Sequence, residues 1–180
     1  MTGPLRRLAG LLRREEGAVT VEFVLIFPVM MVFLLSSFES GLLLTRKVML
    51  ERALDITVRG LRLGQFEDPD HDVLKQAICG QATYVPDCMT SIALELAPIS
   101  TVGDWALPEA AAQCVDRDAE VQELKALNAG GPNDIMLMRV CALLDPWFPT
   151  VGLGKAMEEA SPNGFRLMTQ SAFVNEPRAN

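Results

Sequence analysis

Histidine is almost missing: His71 is the single one in 180 residues. That removes the side chain used most often as a general base near neutral pH and most often as a metal ligand. There is no G-x-S-x-G, no Walker loop and no H-E-x-x-H, so three familiar routes to hydrolysis are closed. An excess of basic charge is missing too. The net charge of -7 argues against nucleic acid, which needs a basic face to displace counterions. Cys79, Cys88, Cys114 and Cys141 include no C-x-x-C pair, and one histidine cannot complete a zinc site with them. No internal repeat or low-complexity segment occurs. Finally, charge is missing from the whole run between Phe23 and Phe38.

That run is the strongest feature present. It lies in "RREEGAVTVEFVLIFPVMMVFLLSSFESG", and from Ala18 to Leu44 only Glu22 and Glu39 carry charge. A spanning helix needs about 20 residues. The stretch suffices if both glutamates sit near headgroups, since a carboxylate at mid-bilayer costs on the order of 2.5–3.5 kcal/mol. A cleaved secretory signal would end in small residues before its cut, and "LLSSFESG" offers no A-x-A-like site. Basic residues flank the run on both sides, Arg6, Arg7, Arg13 and Arg14 before it and Arg46, Lys47 and Arg52 after it, so the positive-inside count barely decides orientation. The cysteines decide it. All four follow the run and form an even set, which in an exported domain means disulfides. The expected arrangement is a single pass through the inner (cytoplasmic) membrane. The N-terminus is cytoplasmic and the acidic C-terminal domain is periplasmic or otherwise extracytoplasmic.

Glu22 needs a reason. If the chain were cut between Gly17 and Ala18, the new amine would stand at a helix N-terminus, where the macrodipole is already positive. Glu22 lies four residues from Ala18, on the same helical face, and would neutralise that amine or a neighbouring subunit's. "GAVTVEF" followed by an apolar run resembles a prepilin cleavage motif, with Gly17 before the cut and Glu22 fifth after it. With Val21, Phe23, Pro28, Glu39 and Gly41, and more weakly with the ending "AFVNEP", the chain resembles the TadE-like proteins of the tight-adherence (Tad/Flp) pilus system. It departs from that pattern in carrying Glu15 and Glu16 just before Gly17. The resemblance implies a minor pseudopilin, processed by a membrane prepilin peptidase and packed against other pilin-like subunits. Pro28, inside the span, removes the hydrogen bond to the Val24 carbonyl and should kink the helix.

After Leu44, Leu50, Leu54, Val58 and Leu61 form one apolar stripe, while Arg46, Lys47, Glu51, Arg52, Asp55, Arg59 and Arg62 mostly occupy the other faces. The membrane helix should continue as an amphipathic stem to a cap near Gly64. "EDPDHD" reads as a turn and helix N-cap in preference to a metal loop. "SIALELAPI" alternates as a half-buried strand. "IMLMRVCALL" from Ile135 is apolar on both faces, as a central strand would be, and "FRLMTQSAFV" from Phe165 is a third strand. A short helix is expected near Glu120–Leu127 and a turn at "NAGGPND". The spacing leaves three disulfide pairings open; we favour Cys79–Cys88, closing a short loop, and Cys114–Cys141, tying an irregular segment to the central strand.

The expected fold is α+β. A long N-terminal helix, membrane-spanning in its first half, carries a small disulfide-bonded domain with an antiparallel sheet of about three strands. The divisions are a cytoplasmic leader at 1–17, a transmembrane helix at 18–44, a stem at 45–66 and an extracytoplasmic domain at 67–180. No catalytic residue, cofactor or metal is expected. The partners are the lipid bilayer, the peptidase and other pilin-like subunits, and not nucleic acid. A membrane-anchored enzyme is the second hypothesis, and hydrolytic activity in the domain would support it. An unprocessed anchored scaffold or binding protein is the third, and an intact N-terminus would support it.

Overall fold

The computed structural model describes residues 18–66, 69–99, 112–119, 122, 127–128 and 130–176. One helix organises the rest. Helix α1, Ala18–Arg62, is unbroken through Pro28 and roughly 70 Å long at the standard rise. Its end follows from Gly64, whose φ of 67° admits the left-handed turn that side chains resist. Gly64 N–H donates to Leu61 O and Gln65 N–H to Gly60 O, the paired bonds that close a helix C-terminus.

Among the described residues, five further helices and strands precede the last strand. They are α2 (His71–Gln81), α3 (Cys88–Ser91), β1 (Ile92–Pro98), β2 (Ile135–Leu144) and α4 (Gly152–Ala160), and the chain then forms β3 (Phe165–Val174). Asp70 starts α2: its Oδ1 accepts the Val73 N–H at 2.7 Å, the cap expected from "EDPDHD". Strands β1, β2 and β3 form an antiparallel sheet in that order, with Glu95 opposite Arg139 and Val140 opposite Thr169. All three segments are strands with β2 in the centre, but β1, expected to be half-buried, is buried on both faces from Ile92 to Leu96, with Glu95 bonded to Gln113 of the overlying segment. The expected helix near Glu120–Leu127 falls, apart from Gln122 and Leu127, outside the described residues.

Alternation splits the sheet into two faces. Ile92, Leu94 and Leu96 of β1, Met136, Met138, Val140, Ala142 and Leu144 of β2, and Leu167 and Phe173 of β3 enter one core. Leu50, Ala53, Leu54 and Val58 of α1 and Leu74 and Ile78 of α2 close it. The stem stripe therefore packs on its own sheet. On the opposite face, the segment 112–119 crosses β2, tied by the Cys114–Cys141 disulfide. There Glu95 and Arg139 form an ion pair, and Glu95 Oε1 also accepts the Gln113 N–H at 3.1 Å. The second disulfide, Cys79–Cys88, links α2 to α3. Both favoured pairings are present.

Candidate assembly helix and its junction with the domain

The first half of α1 is bare. Every residue from Val19 to Met30 is exposed, and most are large and apolar. A helix this apolar would not persist uncovered in water. It is long and apolar enough to cross a membrane. Glu22 lies exposed within it, one turn from Ala18 at the start of the helix, and Phe23 stacks on Phe27 with ring centroids 5.1 Å apart. The hydroxyls of Ser37, Ser40 and Thr45 turn back to carbonyls four residues earlier, at 2.8–2.9 Å, which keeps these donors satisfied along the helix.

Ser36 behaves differently, and so does Glu39. Ser36 Oγ accepts the Leu153 N–H at 3.1 Å, capping the first turn of α4, whose own Val151 supplies no side-chain cap. Glu39 is completely buried. Its carboxylate accepts the Trp147 N–H at both oxygens and the Phe148 N–H at one, each at 3.1 Å. It also lies beside the N-terminal turn of α4: a Cβ on Gly154 would stand 3.4 Å from Oε2. Backbone donors and the positive end of a helix are what a buried carboxylate needs when no cation pairs with it.

The loop after β2 is thereby fastened to α1. Further along the helix, the Arg46 guanidinium makes a long 3.4 Å bond to Asp145 O and lies 6.0 Å from the Trp147 ring centroid. On the other side Arg117 forms a two-pronged pair with Asp145 at 2.6 and 3.1 Å. That hydrogen bond pushes the Arg117 pKa further up against the opposing effect of burial. Two glycines permit the close approach. Gly152 has a φ of 57°, and a Cβ there would strike Ser36 Oγ at 2.2 Å; a Cβ on Gly154 would strike Phe148 O at 2.3 Å.

Of the residues singled out from sequence, Glu22 lies on the bare half with Ala18 at its start, and Pro28 lies mid-way along that half. Gly17 lies outside the described residues. The four cysteines are paired within the domain, away from this helix half. Two readings need correction. Glu39, expected at the outer headgroups, is inside the protein, and Arg46, expected on the solvent side, is buried. Both lie on the stem stripe extended backwards: Leu50, Arg46 and Glu39 recur at steps of four and seven, and Ser36 follows after three more. Polar residues on an otherwise buried stripe were the available signal for a hydrogen-bonded junction. Among the described residues, no group of three His, Cys, Asp or Glu is placed to hold a metal ion.

Comparison with curated proteins and with solved structures finds no match. The family comparison does, and it falls on the one element just described. Residues 17–59, from the glycine ahead of α1 almost to the helix end, match the family described as TadE-like protein.

Proposed function

We propose that the protein is a minor pseudopilin or assembly factor of a Tad-type pilus and that it acts by association without turnover. The TadE-like match supports a role in the pilus system. The observation that carries the finer reading is the bare half of α1, uncovered and apolar, with one carboxylate a turn from Ala18. In this reading the helix spans the cytoplasmic membrane in a single pass, with the N-terminus cytoplasmic and the disulfide-bonded domain outside. A prepilin peptidase cuts between Gly17 and Ala18. The new amine meets Glu22, of the same chain or of a neighbour, and the charge pair makes both groups tolerable at the bilayer edge. Helices of pilin-like subunits then pack side by side along the apolar surface.

Substituting Glu22 tests this reading. Glu22→Val makes the helix more apolar, so insertion is unimpaired. Processing at Gly17 persists, while co-purification of pilin-like subunits falls. If the variant retained its partners as well as the wild type, Glu22 would be a headgroup contact and nothing more. A precursor with an intact N-terminus would instead support an unprocessed anchored scaffold.

A further inference from the structure

Aromatic side chains crowd the place where the bare half of α1 meets the domain. Phe38 and Trp147 are more than half exposed. Phe148 stands edge-on to Phe38 with centroids 6.2 Å apart. From Pro146 to Gly154 the loop and the start of α4 contain no charged residue. This surface cannot drift away from the helix, because Glu39 holds the N–H groups of Trp147 and Phe148 and Ser36 holds that of Leu153. Its height along α1 is therefore fixed at the level of Ser36–Glu39.

That height has a consequence in a bilayer. Glu22 and Glu39 are seventeen residues apart on one helix, about 26 Å at 1.5 Å per residue. The hydrocarbon core is about 30 Å thick. With Glu22 at the inner headgroups, the level of Glu39 falls at the outer edge of the hydrocarbon, not above it. A charged residue facing outward there would be costly, and Glu39 is covered. What faces outward is Phe38 and Trp147, the kind of side chain that accumulates at a membrane interface. The next exposed charges on α1, Lys47 and Arg52, begin two turns higher, about 12 Å further out, among headgroups and water.

We propose that the loop from Pro146 to Leu153, together with Phe38, is a lipid-contact surface. Trp147 is seated at the headgroup–acyl boundary of the outer leaflet and sets the depth at which the domain rides. The partner is a phospholipid interface and not a neighbouring subunit, because the uncharged patch lies at the outer edge of the hydrocarbon and presents an exposed Trp147, the side chain that gathers at that boundary. The inference rests on the spanning orientation given above, but not on processing or on pilus membership.

Depth-dependent quenching tests it. The chain has two tryptophans, Trp105 and Trp147, so Trp105→Phe leaves Trp147 as sole reporter. The protein is reconstituted in phosphatidylcholine vesicles whose acyl chains carry bromine either near the headgroup or near the chain end. Trp147 should lose most of its emission to the shallow bromines and little to the deep ones. Phe33→Trp, in a background of Trp105→Phe and Trp147→Phe, is the reference and should be quenched more by the deep bromines. An unquenched Trp147 beside a quenched Phe33→Trp would overturn the lipid contact. If that unquenched emission also changed on diluting the protein in the vesicles, the loop would belong to a protein interface. If neither reporter were quenched, the spanning helix would fall together with the lipid contact.

Discussion

Helix α1 carries two carboxylates in one apolar setting, and the two have opposite surroundings. Glu22 is exposed, with uncovered apolar side chains on either side of it. Glu39 is wholly buried, and backbone N–H groups of a distant loop occupy its oxygens. The sequence neighbourhoods look alike, since both are single charges in hydrophobic text. The difference is what lies against each one. A carboxylate with internal donors belongs to folding. A carboxylate on an exposed apolar surface takes no part in that packing, and it is the one we propose for association. One helix thus anchors its own domain from Ser36 onward and leaves residues 19–30 exposed.

The sharpest way to break this contrast is to remove the buried member. Glu39→Ala leaves the Trp147 and Phe148 N–H groups without an acceptor in a covered site, and each orphaned donor costs about 1–3 kcal/mol. The domain should lose roughly 3 kcal/mol or more in urea unfolding of the detergent-solubilised protein. Glu39→Gln keeps one acceptor oxygen and should lose less. A wild-type midpoint for Glu39→Ala would mean that the loop docks without it.

Filling the junction should cost somewhat less. In Gly154→Ala the added methyl meets the Phe148 carbonyl, a backbone atom that cannot swing aside. Overpacking of this kind typically costs about 1–3 kcal/mol. Increased proteolysis within the loop from Pro146 to Val151 would report the same undocking. Ser36→Ala deletes a single acceptor at the start of α4 and should cost about 1 kcal/mol, read in the same unfolding experiment. The smallest effect is expected at the other carboxylate. Glu22→Val should shift domain stability by less than about 0.5 kcal/mol, as surface changes away from packed features do. A large loss there would show that Glu22 supports the fold and would erase the distinction.

Much of this architecture was legible because it depends on short-range periodicity. Alternation exposed β1 and β3, the doubly apolar run exposed β2, and four-residue spacing from Leu50 to Leu61 exposed the stem. Asp70 announced the start of α2 because a cap acts within its own first turn. The favoured disulfides came from closing one short loop and tying one irregular segment to the central strand. The junction was not legible in the same way. Glu39 contacts Trp147 across 108 positions, and no local rule says which loop will supply N–H groups to a given carboxylate. The charge of Arg46 points to solvent, whereas its place on the stripe with Leu50 points inward, and the second holds. Gly152 and Gly154 have a purpose only through contacts distant in sequence or across a turn, with Ser36 and with the Phe148 carbonyl. On the bare half the balance is reversed. Glu22, Pro28 and the apolar run stand out in sequence, and none of them is buried among the described residues.

The proposed role of Glu22 depends on a terminus being made beside it. Mass spectrometry of the N-terminal peptide of the native protein, isolated from membranes, reads this directly. The mature chain should begin at Ala18, and Gly17→Leu should leave the precursor uncut. A wild-type chain still carrying residues 1–17 would contradict processing and leave Glu22 without the amine it is proposed to meet.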